Sequence, residues 1–158
     1  MDVQIRHAVK QDMPIVLDLI KELAIYEQAE EEVVNRVQWL EKYGTQDNTL
    51  FTVILAQFNG EVIGMVLYYY CFSSWKGKML YIDDIVVTKK FRRKGVGRVL
   101  FDFLMKEAKM EEAQQVRFHV LDWNEPALNF YKKYFNLSIE KKWLTCKIDI
   151  DGINQNTA

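Results

Sequence analysis

The stretch from Met79 to Glu107 reads MLYIDDIVVTKKFRRKGVGRVLFDFLMKE. It joins an apolar, strand-like run (Met79 to Val87) to a basic loop (Lys89 to Lys94), and then to Gly95-Val96-Gly97 opening a helix. Val96, Val99, Leu100, Phe103, Leu104 and Ala108 recur at steps of three and four, the stripe of a helix packed on a sheet. A strand, a glycine turn and a helix in that order commit the chain to an α/β arrangement and build an anion site at the turn. The first turn of a helix leaves backbone N–H groups unpaired and carries the positive end of the dipole, and glycines admit a phosphate close to that backbone. Arg92, Arg93, Lys94 and Arg98 add charge where it meets a pyrophosphate.

The turn lacks the Gly-Lys-Ser/Thr ending of a magnesium-nucleotide loop and the third glycine of the dinucleotide pattern. What it contains is Arg-x-x-Gly-x-Gly, Arg92 to Gly97. That string, set between a strand and an amphipathic helix, resembles the pyrophosphate loop of the GNAT acetyltransferases. The plain alternative is a solvated basic loop capping an ordinary helix.

At 158 residues the chain predicts one domain, residues 1–150, followed by a polar tail, residues 151–158. A net charge of -1 excludes a bulk nucleic-acid binder, whose affinity rests on a large basic excess, so the basic loop is a local feature suited to one small polyanion. The N-terminus, MDVQIRHAVK, has no apolar core like that of a signal peptide, and the longest apolar run, Met65 to Phe72, is too short to span a bilayer. The expectation is a cytoplasmic protein with no membrane partner. Cys71 and Cys146 stand alone and read as buried, reduced apolar residues. His7 and His119 have no partner in sequence, read as structural, and indicate no metal site.

Taken in order, Val3 to Ala8 reads as a strand, and Asp12 and Pro14 open a helix with the stripe Val16, Leu19, Ile20, Leu23 and Ala24. Asn35 with Gln38 resembles a capping box, and Val34 with Trp39 a hydrophobic staple, so a second helix runs to Gly44. Two strands, Leu50 to Phe58 and Val62 to Phe72, meet at the hairpin signal Asn59-Gly60. After the Gly95 helix comes a strand around Val116 to Val120, and a helix capped by Asn124 runs to Tyr134. Leu137 to Glu140 and Trp143 to Ile150 then complete the sheet. The expected fold is a mixed α/β sheet of six to seven strands with four helices on both faces.

Asp83 and Asp84 stand in the middle of the apolar central strand. Adjacent strand residues point to opposite faces, so the two carboxylates serve one pocket only if the strand bulges or splays. They are either paired structurally with nearby cations, or at least one faces a wet cleft and recognises or deprotonates a cationic amine. Tyr131 lies on the buried stripe of its helix and is either core or, with a phenol pKa near 10, an acid for a departing thiolate.

Further motifs sharpen the resemblance. These are Leu23-Ala24-Ile25-Tyr26-Glu27, Trp75-Lys76-Gly77-Lys78, Tyr81-Ile82-Asp83-Asp84, Trp123-Asn124-Glu125-Pro126 and Asn129-Phe130-Tyr131-Lys132. Together they look like the spermidine/spermine (diamine) N-acetyltransferase group within GNAT. The resemblance implies acetyl-CoA as co-substrate and no metal. It places pantetheine on backbone around Ile85, Val86 and Val87, pyrophosphate on the amides of Arg93, Lys94, Gly95, Val96, Gly97 and Arg98, and Asn124 near the cofactor arm. Tyr131 matches the general acid; Tyr26, Glu27 and Asp83 match positions lining the amine site, with Trp75 and Asp84 beside them, usually in a homodimer. Where the group has a glutamate the chain has Asp83; where it has an acidic pair the chain has Glu140-Lys141-Lys142-Trp143; and Phe135 replaces a helix-ending glycine, leaving Asn136 to take any left-handed turn. A lysine there repels the far ammonium of a long polyamine, which makes a diamine or a thialysine-like amino acid competitive as acceptor.

The implied reaction is direct attack by a primary amine in a ternary complex. Asp83 takes the amine proton, directly or through water, Tyr131 protonates the thiolate, and N–H groups near Val86 and Val87 polarise the carbonyl. A CoA-binding sensor without catalysis and a protein N-acetyltransferase are the competing readings.

Overall fold

The computed structural model describes residues 1–45 and 49–150. The chain divides into two compact units, Met1–Leu121 and Asp122–Ala158.

The first unit is a five-stranded sheet in the order β1 (Gln4–His7), β2 (Thr52–Phe58), β3 (Glu61–Ser73), β4 (Gly77–Val87) and β5 (Gln115–Phe118). All neighbours are antiparallel except β4 and β5, which run parallel because helix α3 (Val96–Met110) carries the chain back across the sheet between them. The β2–β3 hairpin turns at Asn59 and Gly60, both with positive φ (51° and 80°), as Asn-Gly demands.

Helices α1 (Met13–Tyr26) and α2 (Val37–Gly44) cover one face. Met13, Val16, Leu17 and Leu19 of α1 and Leu40 of α2 close over Val53, Leu55, Met65, Leu67 and Val86. Helix α3 takes the other face with Val96, Leu100, Phe101, Leu104 and Ala108 buried. Phe101 replaces two expected members of the stripe, and Val99 is left 39% exposed. Among the described residues no helix is long and apolar enough to cross a membrane.

Several local expectations shift. The Asp12 carboxylate does not cap α1; it turns back to accept from the Val9 N–H at 2.8 Å and from the Arg6 guanidinium at 2.6 and 2.8 Å. That charge-assisted pair holds Asp12 below the ordinary carboxylate range. Helix α2 begins at Val37, two residues beyond Asn35, whose side chain instead accepts from the adjacent Arg36 N–H, and Val34 is too exposed to staple anything. Cys146 is exposed and Cys71 half-buried, rather than both being core.

The second unit contains α4 (Glu125–Tyr134). Leu137 to Glu140 and Trp143 to Ile150 join no ladder, so among the described residues the sheet has five strands and not the expected six or seven. Trp143, Leu144, Ile148 and Ile150 are largely exposed, and an apolar β-branched pattern becomes a strand only where an edge accepts its hydrogen bonds. Asn136 is not left-handed: Phe135 leaves the helix extended, with its N–H on the Tyr131 carbonyl. The polar tail lies outside the described residues.

Candidate active site

The acid pair sits on a β-bulge. Along β3 and β4, Tyr69 opposes Tyr81 and Tyr68 opposes Ile82; the register then slips, Leu67 opposes Asp84, and Asp83 is left without an opposite residue. Directly opposed residues of an antiparallel pair share a face. Asp84 therefore stands on the same face as Tyr81, although three positions apart in a regular strand would put them on opposite faces. That face is the one α1 covers, because Leu67 belongs to the core beneath α1. The bulge is what lets two adjacent carboxylates serve one side of the sheet.

Three acids interact there. Burial raises the Asp84 carboxyl to about 7, with the charges of Asp83 and Glu27 adding to it. Glu27, at the C-terminal end of α1, is also raised by burial. Asp83 is exposed at the surface, yet partial desolvation still lifts it above its ordinary value, opposed by the charge of His119. Three carboxyl groups, all protonating more readily than in water, form a site that gains by receiving a cation.

Beyond Ile82 the two parallel strands part company. The β4–β5 ladder spans Met79 to Ile82 on β4 and ends at Phe118 on β5. From Asp83 through Ile85, Val86 and Val87, that edge of β4 meets no strand among the described residues, which suits an extended chain carrying amides of its own. Gly64, which the sequence reading passed over, backs this edge: it opposes Val87, and a Cβ there would lie 2.8 Å from the Val86 carbonyl oxygen and 3.3 Å from Leu100. Only a glycine lets β3, β4 and α3 approach this closely.

The glycine turn has the geometry of an anion cradle. Gly95 caps α3 with φ of 85°, and Arg93 is also left-handed at 59°. The N–H groups of Arg98 and Val99 both go to the Gly95 carbonyl, and Val96 and Gly97 open the first turn of α3, where backbone N–H groups have no partner one turn back in their own helix. N–H groups at the start of a helix are donors of the kind an anion takes.

The arginines divide their work. Arg92 is committed internally: its Nε donates to the Val87 carbonyl at 2.8 Å, its guanidinium lies 4.8 Å from the Tyr26 ring centroid, and it reaches Glu22 at 3.5 Å. Glu22 also accepts from the Lys89 N–H at 2.9 Å. Arg92 and Glu22 thus fasten the loop to β4 and α1, while Arg93 and Lys94 stay exposed. Arg98 pairs with Asp102 one turn along α3 at 2.7 Å.

Of the remaining site residues, Tyr26 lies beside Glu27 but its ring carries Arg92. Trp75 sits in the β3–β4 turn and is 80% exposed. Eight residues before Asp83, it is on the order of 20 Å along the strand, so this chain does not bring it to its own acid pair. In the second unit Asn124 is buried and caps α4, its side chain accepting from the Ala127 N–H at 3.3 Å. Tyr131 is buried on α4 in edge contact with Phe130. Among the described residues no three His, Cys, Asp or Glu side chains gather as a metal site.

The acetyltransferase (GNAT) family profile matches residues 14–136. The thialysine N-epsilon-acetyltransferase of Caenorhabditis elegans is 32% identical over 142 residues, covering 89% of this chain and 88% of its own length. The human spermidine/spermine N(1)-acetyltransferase-like protein 1 is 33% identical over 149 residues, 89% of this chain, which spans only 21% of that longer protein. Among solved structures, an aminoglycoside acetyltransferase, meta-AAC0020, from an uncultured soil metagenomic sample superposes with a TM-score of 0.76 at 17% identity. That match covers 94% of this chain and 96% of the other, and it speaks to the fold. An amide cradle at α3, an open strand edge and an acid-bearing bulge thus coincide with a family match over most of the chain: it belongs to the GNAT acetyltransferases and is an acetyl-transferring enzyme.

Proposed function

We propose that the protein moves the acetyl group of acetyl-CoA to the primary amine of a small cationic acceptor, a diamine or an amino acid with a side-chain amine, by direct attack in a ternary complex. The observation that carries this is the bulge, which turns Asp83 and Asp84 to the face occupied by Glu27 and leaves three acids raised together.

Acetyl-CoA supplies an activated acyl carbon and a thiolate leaving group. The residues that fit it are the amides from Arg93 to Gly97 for the diphosphate, with Arg93 and Lys94 adding charge, and the unpaired edge from Ile85 to Val87 for the pantetheine amides. Asn124 of the second unit is the further candidate for the cofactor arm.

An alkylammonium titrates near 10.4, so the neutral nucleophile costs about 4 kcal/mol at pH 7.4. Bringing an ammonium beside three carboxylates lowers their protonation and holds the amine where one of them can take its proton. The resemblance assigns that task to Asp83. The surroundings favour Asp84 as the stronger base, since its carboxyl titrates at about 7, with Asp83 and Glu27 binding the ammonium. Backbone N–H groups near Val86 and Val87 polarise the thioester carbonyl, and Tyr131 gives its hydroxyl proton to the departing sulfur. A cytoplasmic homodimer rests on the family resemblance, and the exposed Phe72 and Trp75 of the β3–β4 hairpin suit a partner's surface.

The test is release of free CoA from acetyl-CoA across diamines, polyamines, thialysine, lysine, aminoglycosides and N-terminal peptides. Release dependent on a small amine supports the reading. Binding of CoA without acceptor-dependent release would instead make the protein a sensor, and release only with peptides a protein acetyltransferase.

A further inference from the structure

The sheet face that carries the acids changes sign within one strand spacing. Tyr81 pairs with Arg117 and Ile82 with Phe118 across the parallel β4–β5 ladder. Phe118 meets Phe101 of α3 edge to face, so it lies on the α3 side, and Arg117 and His119 stand on the opposite face with Tyr81 and Asp84. His119 follows Phe118 just past the end of the ladder, and Arg117 lies roughly 7 Å back along β5, opposite Tyr81.

Both side chains are held in place. The Tyr81 hydroxyl is hydrogen-bonded to His119 Nδ1, and the Tyr81 ring stacks on Tyr69 with centroids 5.2 Å apart. Arg117 spends its Nε on the Gln115 side chain at 2.9 Å, and both Arg117 and His119 are exposed. The charge of His119 reaches Asp83, whose carboxyl it pulls down against the effect of burial. The site thus has an acidic side (Glu27, Asp83, Asp84), a wall of two stacked tyrosines, and a basic rim (Arg117, His119).

A diamine fits this poorly, because its second ammonium meets the basic rim. A molecule with an amine at one end and a carboxylate at the other matches both sides. We propose that Arg117 and His119 receive the carboxylate of the acceptor, so that the preferred acceptor is an amino acid with a side-chain amine. Arg117 offers the remaining N–H groups of its guanidinium, and His119 its Nε2, to carboxylate oxygens. The inference rests on the acetyl-transfer reading and narrows its acceptor.

Matched acceptors that differ only by the carboxylate test it: ornithine against putrescine, and lysine against cadaverine, at saturating acetyl-CoA. The expected result is a kcat/KM higher for each amino acid by a few-fold, up to about fivefold for each exposed charge pair. Arg117→Met and His119→Leu should raise KM for the amino acids severalfold with kcat little changed and leave KM for the diamines equal or lower; Arg117→Lys should restore part of the preference. Equal or better turnover of the diamines, or variants that move both members of a pair alike, would overturn the carboxylate rim and leave acetyl transfer standing. If none of the four is acetylated, the acetyl-transfer reading fails for them. Calorimetric titration with the same four compounds then decides the rim, which falls unless the amino acids bind more tightly than their diamines.

Discussion

Asp84 is the residue at which stability and chemistry pull apart. Its carboxyl titrates at about 7 in the fold and near 3.9 in an unfolded chain. A raised carboxyl binds its proton more tightly when folded, so its contribution to stability is fully present below about pH 4 and is lost as pH rises toward 7. The cost above pH 7 is on the order of 4 kcal/mol as an upper bound. Asp84→Asn should therefore raise the unfolding free energy at pH 8 by up to a few kcal/mol and change it little at pH 4, as read by urea denaturation at the two values. An unchanged or lower stability at pH 8 would show that the carboxylate is satisfied in the fold. The same substitution should depress kcat and remove a rise in kcat/KM through pH 7, whereas Asp83→Asn should act mainly on KM for the amine. At Tyr131, removing the hydroxyl with Phe should cost about 100-fold or more in kcat while acetyl-CoA affinity survives. Turnover that stays within a few-fold of wild type would leave Tyr131 as core alone.

At the scale of elements, the site is made by interruptions of regular structure: a bulge in β4, a parting of β4 from β5, and a left-handed residue at the start of α3. Gly95 adopts φ of 85° in open space, so Gly95→Ala meets no clash and pays only backbone strain, about 1–2 kcal/mol. That strain falls on the amides that form the cradle, so CoA affinity should drop severalfold in calorimetry, and wild-type affinity would argue against the cradle. Gly64→Ala acts through packing instead. Its Cβ meets the Val86 backbone at 2.8 Å, which predicts a loss of about 1–3 kcal/mol and a melting temperature lower by several degrees. The glycine turn, the Asn59-Gly60 hairpin and the Asn124 cap were legible because each rests on a residue type with few other uses. The bulge was signalled only indirectly, by two acids in an apolar strand. The slip itself depends on how Leu67 and Tyr68 oppose β4, and pairing across strands is not written in either strand alone.

For the whole molecule, the order of elements through α4 could be read from periodicity, since each helix and each paired strand buries one face. The expected strands after Leu137 could not be, because an apolar pattern does not say whether an edge is there to receive it. Tyr81 and His119 escaped notice for a similar reason: they are 38 residues apart and meet only because β4 and β5 are neighbours. Arg92 was assigned to the ligand on charge, and its actual partners, Val87, Tyr26 and Glu22, lie on two other elements. Cradle, edge and acid pair together require the folded protein to bind acetyl-CoA before any amine is supplied. Isothermal titration of the intact chain with acetyl-CoA measures this directly. The prediction is a saturable heat of one site per chain, weakened severalfold in Gly95→Ala, with stabilisation of about 2.7 kcal/mol at a ligand concentration of 100 times Kd. No heat at millimolar acetyl-CoA from a folded sample would contradict it.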